Sequence, residues 1–386
     1  MDKRLYSNQF WLLCASNFLF TISFNMIMPE LPGYLRSLGG AQYIGLIVSL
    51  FTLTAGVSRP FSGKLTDTIG RVPIMAFGSL VCFVCGLLYP LVSSVSAFLI
   101  LRLFHGFSTG FKPTATSAYV ADLIPENRRG EALGTLGIAL SLGMSSGPPL
   151  GSYLAAWFGL NVMFYVSSVF ALLSILILVR LKETLSDRER FRPGHLVLQK
   201  QDLFEPKVLA TFVVMLLLSY STGAVITLAP DLSDHLGLPN KGIFFAVYTM
   251  ASLVIRLVAS KSSDRYGRVR VLRISALALV VSMILLANAN SPTTLLLSAV
   301  LFGLAGGMAM PTITAWTVDL SDQDNRGRAI ATMYIALEMG IGIGAYTGGW
   351  LYAGNIANIA ISFYIAALLA AVALVYMTFR KSAAFI

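Results

Sequence analysis

The chain has 386 residues, 56% of them apolar and 12% charged, with a formal net charge of +10. A soluble domain carries about 25% charged residues, so this composition excludes an ordinary soluble globular protein. The positive charge does not mark a nucleic-acid binder, because its placement along the chain alternates with the apolar segments.

Apolar runs of about 20 residues, the length that crosses a bilayer as a helix, recur twelve times. They cover residues 8–28, 42–62, 73–92, 97–121, 131–155, 160–181, 207–229, 241–260, 271–289, 293–318, 328–352 and 356–379. They predict an all-α polytopic membrane protein of twelve transmembrane helices. The first run is too long for a cleavable signal and lacks a small-residue cleavage site. Of the 28 Lys and Arg, Arg36 and Lys241 fall in loops of one parity, and Arg59, Arg102, Lys112 and Arg256 lie inside spans. The rest occupy the termini and the loops of the other parity. That bias predicts a cell (cytoplasmic) membrane protein with both termini in the cytoplasm. The lipid bilayer is its expected partner, nucleic acid is not, and a monomer is the expected unit.

The long polar segment 182–206 divides the chain into a first six-helix bundle, 1–181, and a second, 207–386. Its alternating charge predicts a cytoplasmic linker lying on the membrane surface, with a short interfacial helix. The other loops are short, as between antiparallel helices. The three cysteines include a CxxC, Cys82 and Cys85, within the third span among Val, Phe, Gly and Leu. Redox or zinc chemistry needs a polar or electropositive setting, so these thiols and Cys14 read as small core residues.

The two halves are written in one register. RPFSGKLTDTIGRV (59–72) and RLVASKSSDRYGRV (256–269) share Arg59/Arg256, Lys64/Lys261, Asp67/Asp264, Gly70/Gly267, Arg71/Arg268 and Val72/Val269 at an offset of 197. DLIPENRRGEA (122–132) aligns with DLSDQDNRGRA (319–329) at the same offset, and Gly143, Gly147 and Gly151 align with Gly340, Gly344 and Gly348. Pro29-Glu30-Leu31 aligns with Pro230-Asp231-Leu232 slightly further on. A duplication of like topology implies parallel repeats about an axis along the membrane normal, with substrate near the midplane between them.

The Gly63-x-x-x-Asp67-x-x-Gly70-Arg71 hairpin resembles the signature loop of the major facilitator superfamily. Arg102-x-x-His105-Gly106 in span 4 looks like that superfamily's proton-motif arginine. Gly143-x-x-x-Gly147-Pro148-Pro149-Leu150-Gly151 in span 5 resembles its antiporter motif. The whole chain is most similar to the twelve-span drug/proton antiporter branch. The resemblance implies two pseudo-symmetric six-helix bundles, and a gating role for Gly63, Asp67, Gly70 and Arg71 with their second copies Asp264 and Arg268. Thr68, Val72 and Pro73 depart from the usual basic residues, His105 from the usual Gln, and Ser260 replaces Gly63 in the second copy.

Physical chemistry adds its own reading. The hairpin glycines permit a tight turn. Asp67 at the membrane surface would gain about 0.3–1 kcal/mol beside helix N-termini; the alternative is a solvated loop that only fixes topology. Gly143, Gly147 and Gly151 lie four apart on one helix face and permit close helix approach. Pro148 removes a backbone hydrogen bond and should bend that helix.

A charge at mid-bilayer costs at least about 2.5–3.5 kcal/mol, so ionisable residues inside spans point to function. Arg102, His105 and Lys112 fall along one stripe of span 4 and predict that this helix lines the central cavity. His105 is either a proton carrier or a neutral packing residue. Lys112 would pair with an anionic substrate, pair with a carboxylate, or snorkel to the interface. Glu338, near the middle of span 11, is the leading proton carrier or substrate contact; the alternative is an ion pair with Lys112 or Arg102. Glu30 and Asp231, at the outer ends of spans 1 and 7, are either solvated helix ends or proton entry points. Asn17, Asn25, Ser219, Tyr220 and Thr222 could add hydrogen-bonding groups to a cavity walled by Phe20, Phe24, Phe107, Phe111, Tyr248, Trp316 and Tyr334.

The expected function is secondary active transport: proton-coupled efflux of amphipathic, drug-like small molecules. The alternatives are a symporter or uniporter for a metabolite, and an exporter of a metabolite, metal chelate or lipid. The three histidines, 105, 195 and 235, show no metal-ligand spacing, and no Walker loop, GxGxxG or triad pattern occurs, so neither enzyme nor cofactor is expected. With no ATPase machinery encoded, the energy source is expected to be an ion gradient, a proton gradient in the leading reading, or the substrate's own gradient.

Overall fold

The structure, a computed structural model, describes residues 7–125, 129–186, 188–197, 204–259, 262–321 and 326–379. Its α-helices are α1 (Asn8–Ile27), α2 (Leu31–Ser37), α3 (Leu46–Thr68), α4 (Arg71–Leu88), α5 (Val95–Leu123), α6 (Arg129–Phe158) and α7 (Leu160–Leu178). They continue with α8 (Leu209–His235), α9 (Gly242–Ala259), α10 (Ser262–Tyr266), α11 (Arg268–Ala287), α12 (Pro292–Leu320), α13 (Arg326–Tyr352) and α14 (Ile359–Phe379). Nine helices among the described residues are long and apolar enough to cross a membrane. Helices α5, α6 and α9 have spanning length too, at 29, 30 and 18 residues, so each predicted span coincides with one long helix. In hydrocarbon a helix satisfies its own backbone, which is why so apolar a chain folds this way.

The helices form two compact units. One contains Met1–Glu30 and Leu53–Lys200; the other contains Leu31–Thr52 and Gln201–Ile386. The boundary after Lys200 falls inside the polar 182–206 segment. Leu31–Thr52, which includes α2 and the start of α3, belongs to the second unit by its contacts. There the backbone of Gly45 meets Gly349 of α13 so closely that a Cβ on Gly349 would overlap it.

Each unit repeats one packing plan. In the first, α1 packs on α6 and α7, and α4 on α5 and α7; in the second, α8 packs on α13 and α14, and α11 on α12 and α14. Local signals repeat as well. Ser94 caps α5 through the Ala97 amide, and Ser291 caps α12 through the Thr294 amide, both at 3.3 Å. Gly70 and Gly267 hold φ of +129° and +89° just before α4 and α11, where a β-carbon is disfavoured.

The glycine series is a packing seam. A Cβ on Gly143 would meet the Phe18 carbonyl at 3.0 Å, one on Gly147 the Ile22 carbonyl at 3.1 Å, and one on Gly151 would overlap Met26. In the second unit Gly340 faces the Leu216 carbonyl, Gly344 the Tyr220 carbonyl and Gly348 Ala224. The partners are offset by 198, so α8 sits one residue out of the register kept by α6 and α13. Helix α6 remains continuous through Pro148 and Pro149.

Two expectations change. Gly63 lies inside α3 with no atom within 4 Å of a Cβ, so it is not a turn residue; Gly70 makes the turn. The described part of 182–206 contains no α-helix, only a 3-10 turn at Pro193–Leu196 and the start of another, Pro206–Val208. Pro193 and Gly194 oppose a longer helix, and the segment is instead tied to α3: the Glu189 amide donates to the Thr68 carbonyl at 2.9 Å, and Lys64 Nζ to the Val197 carbonyl at 2.6 Å. The cysteines are free and buried, as expected.

Contrasting substitutions test the seam. G344V should cost about 1–3 kcal/mol by overpacking against the Tyr220 backbone, whereas G63A should gain a few tenths to about 1 kcal/mol from helix propensity. Thermal unfolding of the purified proteins in detergent compares them.

Candidate functional site

The duplicated hairpin builds an ionic hub at the end of the first unit. Arg71, the first residue of α4, donates from Nε to Asp122 Oδ2 at 3.0 Å and from Nη1 to the Thr66 carbonyl at 2.6 Å. Its Nη1 lies 3.1 Å from Asp67 Oδ1. Asp67 is exposed and pairs within its own hairpin. The carboxylate at the helix N-terminus is Glu183, which follows α7. It accepts from the amides of Arg71 at 3.0 Å and Val72 at 2.9 Å, and from those of Thr184 and Leu185. A carboxylate there satisfies orphan amides and meets the positive end of the helix dipole.

The second unit repeats the arginine half of this hub. Arg268 Nε donates to Asp319 Oδ2 at 2.9 Å, and its Nη1 to Ser263 Oγ at 2.8 Å. These partners stand 197 residues after Asp122 and Thr66. Glu183 has no acidic counterpart, since the equivalent position is Arg380. The Asp264 side chain lies outside the described residues.

The stripe on α5 corrects an expectation. Arg102, His105 and Lys112 are each fully buried in the first unit, so they face protein and not an open cavity. Arg102 Nη1 donates to the Tyr89 hydroxyl at 3.1 Å, and that hydroxyl lies 3.2 Å from His105 Nδ1. His105 Nε2 is 3.4 Å from Cys82 Sγ, which also meets Ser23 Oγ at 3.3 Å. Tyr89 stacks on Phe164. A neutral His105 with its hydrogen on Nε2 satisfies the chain: Arg102 donates to Tyr89, Tyr89 to Nδ1, and Nε2 to the thiol.

Lys112 neither snorkels nor meets a carboxylate among the described residues, and nothing exposes it to an anionic substrate. Its ammonium is enclosed by Ser16, Ser79 and Ser174. The serines escape sequence reading because they lie on three different helices and serine is common in apolar spans, so no local pattern singles them out.

Other cavity candidates are also structural. Asn17 donates to the Leu13 carbonyl and accepts from Thr116 Oγ1, and Asn25 donates to the Thr21 carbonyl. Phe111 belongs to the hydrophobic core of the first unit, with Phe107 packed against it, and Phe20 packs with Cys82 and Ala171. Tyr220 is buried and bonds Thr347 Oγ1 through its hydroxyl at 2.7 Å. These side chains are held by their own unit: Phe20 and Phe111, expected as aromatic walls, are buried, and Tyr220, expected as a hydrogen-bonding cavity group, bonds Thr347 instead. Trp316 is buried on α12. Tyr334 and Glu338 lie one turn apart on α13 and are both half-buried, leaving them partly open.

Glu30 accepts from Ser152 Oγ of α6 at 2.7 Å. Asp231 is not a solvated helix end: its side chain is 3% exposed and forms an ion pair with Arg36 of α2. Lys241 pairs with Asp234 at 2.9 Å. The only two basic loop residues of the minority parity therefore both neutralise carboxylates near the end of α8. Arg36 was visible in the sequence, but its partner was not.

Two helical units on one repeated plan, with charges buried inside their spans, define a polytopic membrane transporter. The chain belongs to the Major Facilitator Superfamily, whose sequence profile matches residues 13–247 and 211–384. It is 29% identical over 354 residues to the multi-drug resistance efflux pump PmrA of Streptococcus pneumoniae serotype 4, covering 86% of each chain. It is 30% identical over 346 residues to the multidrug resistance protein MdtG of Enterobacter lignolyticus, covering 83% of this chain and 79% of that one. Among solved structures it resembles a D-xylose-proton symporter, with a TM-score of 0.78, 17% identity and coverage of 95% and 96%. The human organic anion transporter MFSD10 (TETRAN) gives a TM-score of 0.74 at 20% identity, with coverage of 95% and 98%. These structures share the fold.

Two comparisons test the ionic sites by thermal unfolding. E183A should cost about 1–2 kcal/mol through the lost α4 cap. R36A should cost roughly 2–4 kcal/mol by stranding the buried Asp231, and K241A under about 1 kcal/mol, because Asp234 is 50% exposed.

Proposed function

We propose that the chain is a proton-driven exporter of amphipathic, drug-like small molecules in the cytoplasmic membrane, working as a monomer by alternating access. The observation that carries this reading is its likeness, over most of its length, to two proteins named for multidrug resistance. Membership of a transporter superfamily and the paired glycine seams support it, since rigid helix pairs can rock as bodies.

Coupling requires that proton and substrate favour opposite states, because a ligand shifts an equilibrium only by its differential affinity. Glu338 is our leading proton-binding group. It is a carboxylate on a spanning helix, half-buried, and its repeat counterpart is Ser141, so the scaffold does not demand it. Tyr334, one turn away on α13, would meet the same substrate. His105 and Arg102 form a second, interior group that can respond to a proton through Tyr89. Asp67 and Arg71 would act at the hairpin, where breaking the Asp122 and Glu183 contacts accompanies a change of state.

The test is transport in proteoliposomes with a pH gradient imposed in either direction. Wild-type protein should move a lipophilic cation against its gradient only when protons run the opposite way. E338Q should lose at least about fivefold of that rate, the lower end of a coupling free energy of about 1–3 kcal/mol, while retaining counterflow of substrate. Unchanged proton-driven transport in E338Q removes Glu338 from the scheme; transport of substrate and proton in the same direction overturns the export reading.

A further inference from the structure

Lys112 Nζ sits in a closed cage of four oxygens. Ser174 Oγ lies at 2.5 Å, Ser16 Oγ and Ser79 Oγ at 3.0 Å, and the Ser16 carbonyl at 3.2 Å. The Phe20 ring covers another side, with its centroid 4.7 Å away. The oxygens come from three helices, α1, α4 and α7, and the lysine from a fourth, α5. Lys112, Ser16, Ser79 and Ser174 are all fully buried. Cys82 of α4 is the titratable neighbour.

The hydroxyls are turned for a cation. Ser16 donates to the Ser174 carbonyl at 3.0 Å, and Ser174 donates to the Ser16 carbonyl at 2.9 Å. The two hydroxyls also lie 2.9 Å apart; whichever acceptor takes each hydrogen, no hydroxyl needs to donate to the ammonium, and the arrangement with both hydrogens on backbone carbonyls leaves both oxygens free to accept from the nitrogen. No carboxylate pairs with Lys112 among the described residues. Neutral oxygen dipoles and an aromatic face therefore hold a single positive charge, a ligand set of hard oxygens that matches a monovalent ion and not a divalent one.

The repeat shows that the cage is a unit. At an offset of 197, Lys112, Ser79 and Ser174 correspond to Ala309, Ala276 and Ala371. In the register of α1 and α8, Ser16 corresponds to Val214. All four positions are polar in the first half and all four apolar in the second. The shared scaffold folds without them, so they are present together for one another.

We propose that Ser16, Ser79 and Ser174 form a monovalent-cation site whose permanent occupant is the Lys112 ammonium. The lysine supplies a tethered ion where the oxygens would otherwise coordinate sodium. Wild-type protein then needs no alkali cation at this site, and shortening the side chain opens the site to one.

The purified full chain tests this through its melting temperature in sodium chloride and in choline chloride at equal ionic strength. Wild type should melt alike in both. K112A should melt several degrees lower than wild type in choline, and sodium should restore a saturable part of the loss. K112M, which fills the cage with an apolar chain, should melt alike in both salts. K112A/S174A should lose the sodium shift. Equal melting of K112A in both salts, a wild-type shift as large as that of K112A, a sodium shift in K112M, or a shift that survives in K112A/S174A overturns the proposal. Failure to recover folded K112A from sodium-containing buffer also overturns it, because sodium should replace the ammonium. The readout is thermal, so it stands apart from the export assay.

Discussion

A polar group inside an apolar bundle must find its partners within the protein, and that constraint organises this molecule. Water is not there to solvate it, and a charge left unsatisfied costs several kcal/mol. The backbone answers with helices. The side chains answer locally: Asn17 turns to its own helix and to Thr116, and Arg102 threads through Tyr89 to His105. Lys112 gathers three serines, and Asp231 takes Arg36. The Asn17, Lys112 and Asp231 solutions join helices that are distant in sequence, so charge burial and helix placement are the same problem.

The glycine seams meet the opposite requirement, contact without side chains. Lipid offers helices no hydrophobic drive to associate, and close backbone approach supplies dispersion contacts instead. Because α1–α6 and α8–α13 have no room for a β-carbon at several levels, these pairs should move as bodies. In the proposed alternating-access cycle, conformational change would be left to the hairpins and to contacts made by exposed ionic side chains, which exchange partners at small cost. The ionic hub around Arg71 and Glu183 has that character.

The halves differ where function is expected. Glycines, serine caps and the Arg71–Asp122 pair recur as Gly340–Gly348, Ser291 and Arg268–Asp319. The serine cage, the Glu183 cap and Glu338 do not. Duplication supplies a symmetric frame, and selection for binding or coupling is free to act on positions the frame does not use. Asymmetry therefore marks the positions that the duplicated frame does not require, structural ones such as the Glu183 cap among them.

The twelve spans, the repeat and the fold class were legible in the sequence, because apolar length and a constant offset are one-dimensional signals. So were the glycine seams, from their four-residue spacing, and the position of Arg102 and Lys112 inside a span. What each charge faces was not legible. The α5 stripe read as a cavity lining because helical geometry gives only a direction; whether protein or solvent lies there depends on α1, α4 and α7. The Lys112 serines sit 96, 33 and 62 residues from it, and Asp231 sits 195 from Arg36. No local pattern links residues so far apart. Sequence alone determined how many helices there are, how they repeat and which charged residues fall inside spans. Only tertiary packing decided which of those groups meet, because their partners are chosen by helix proximity in space.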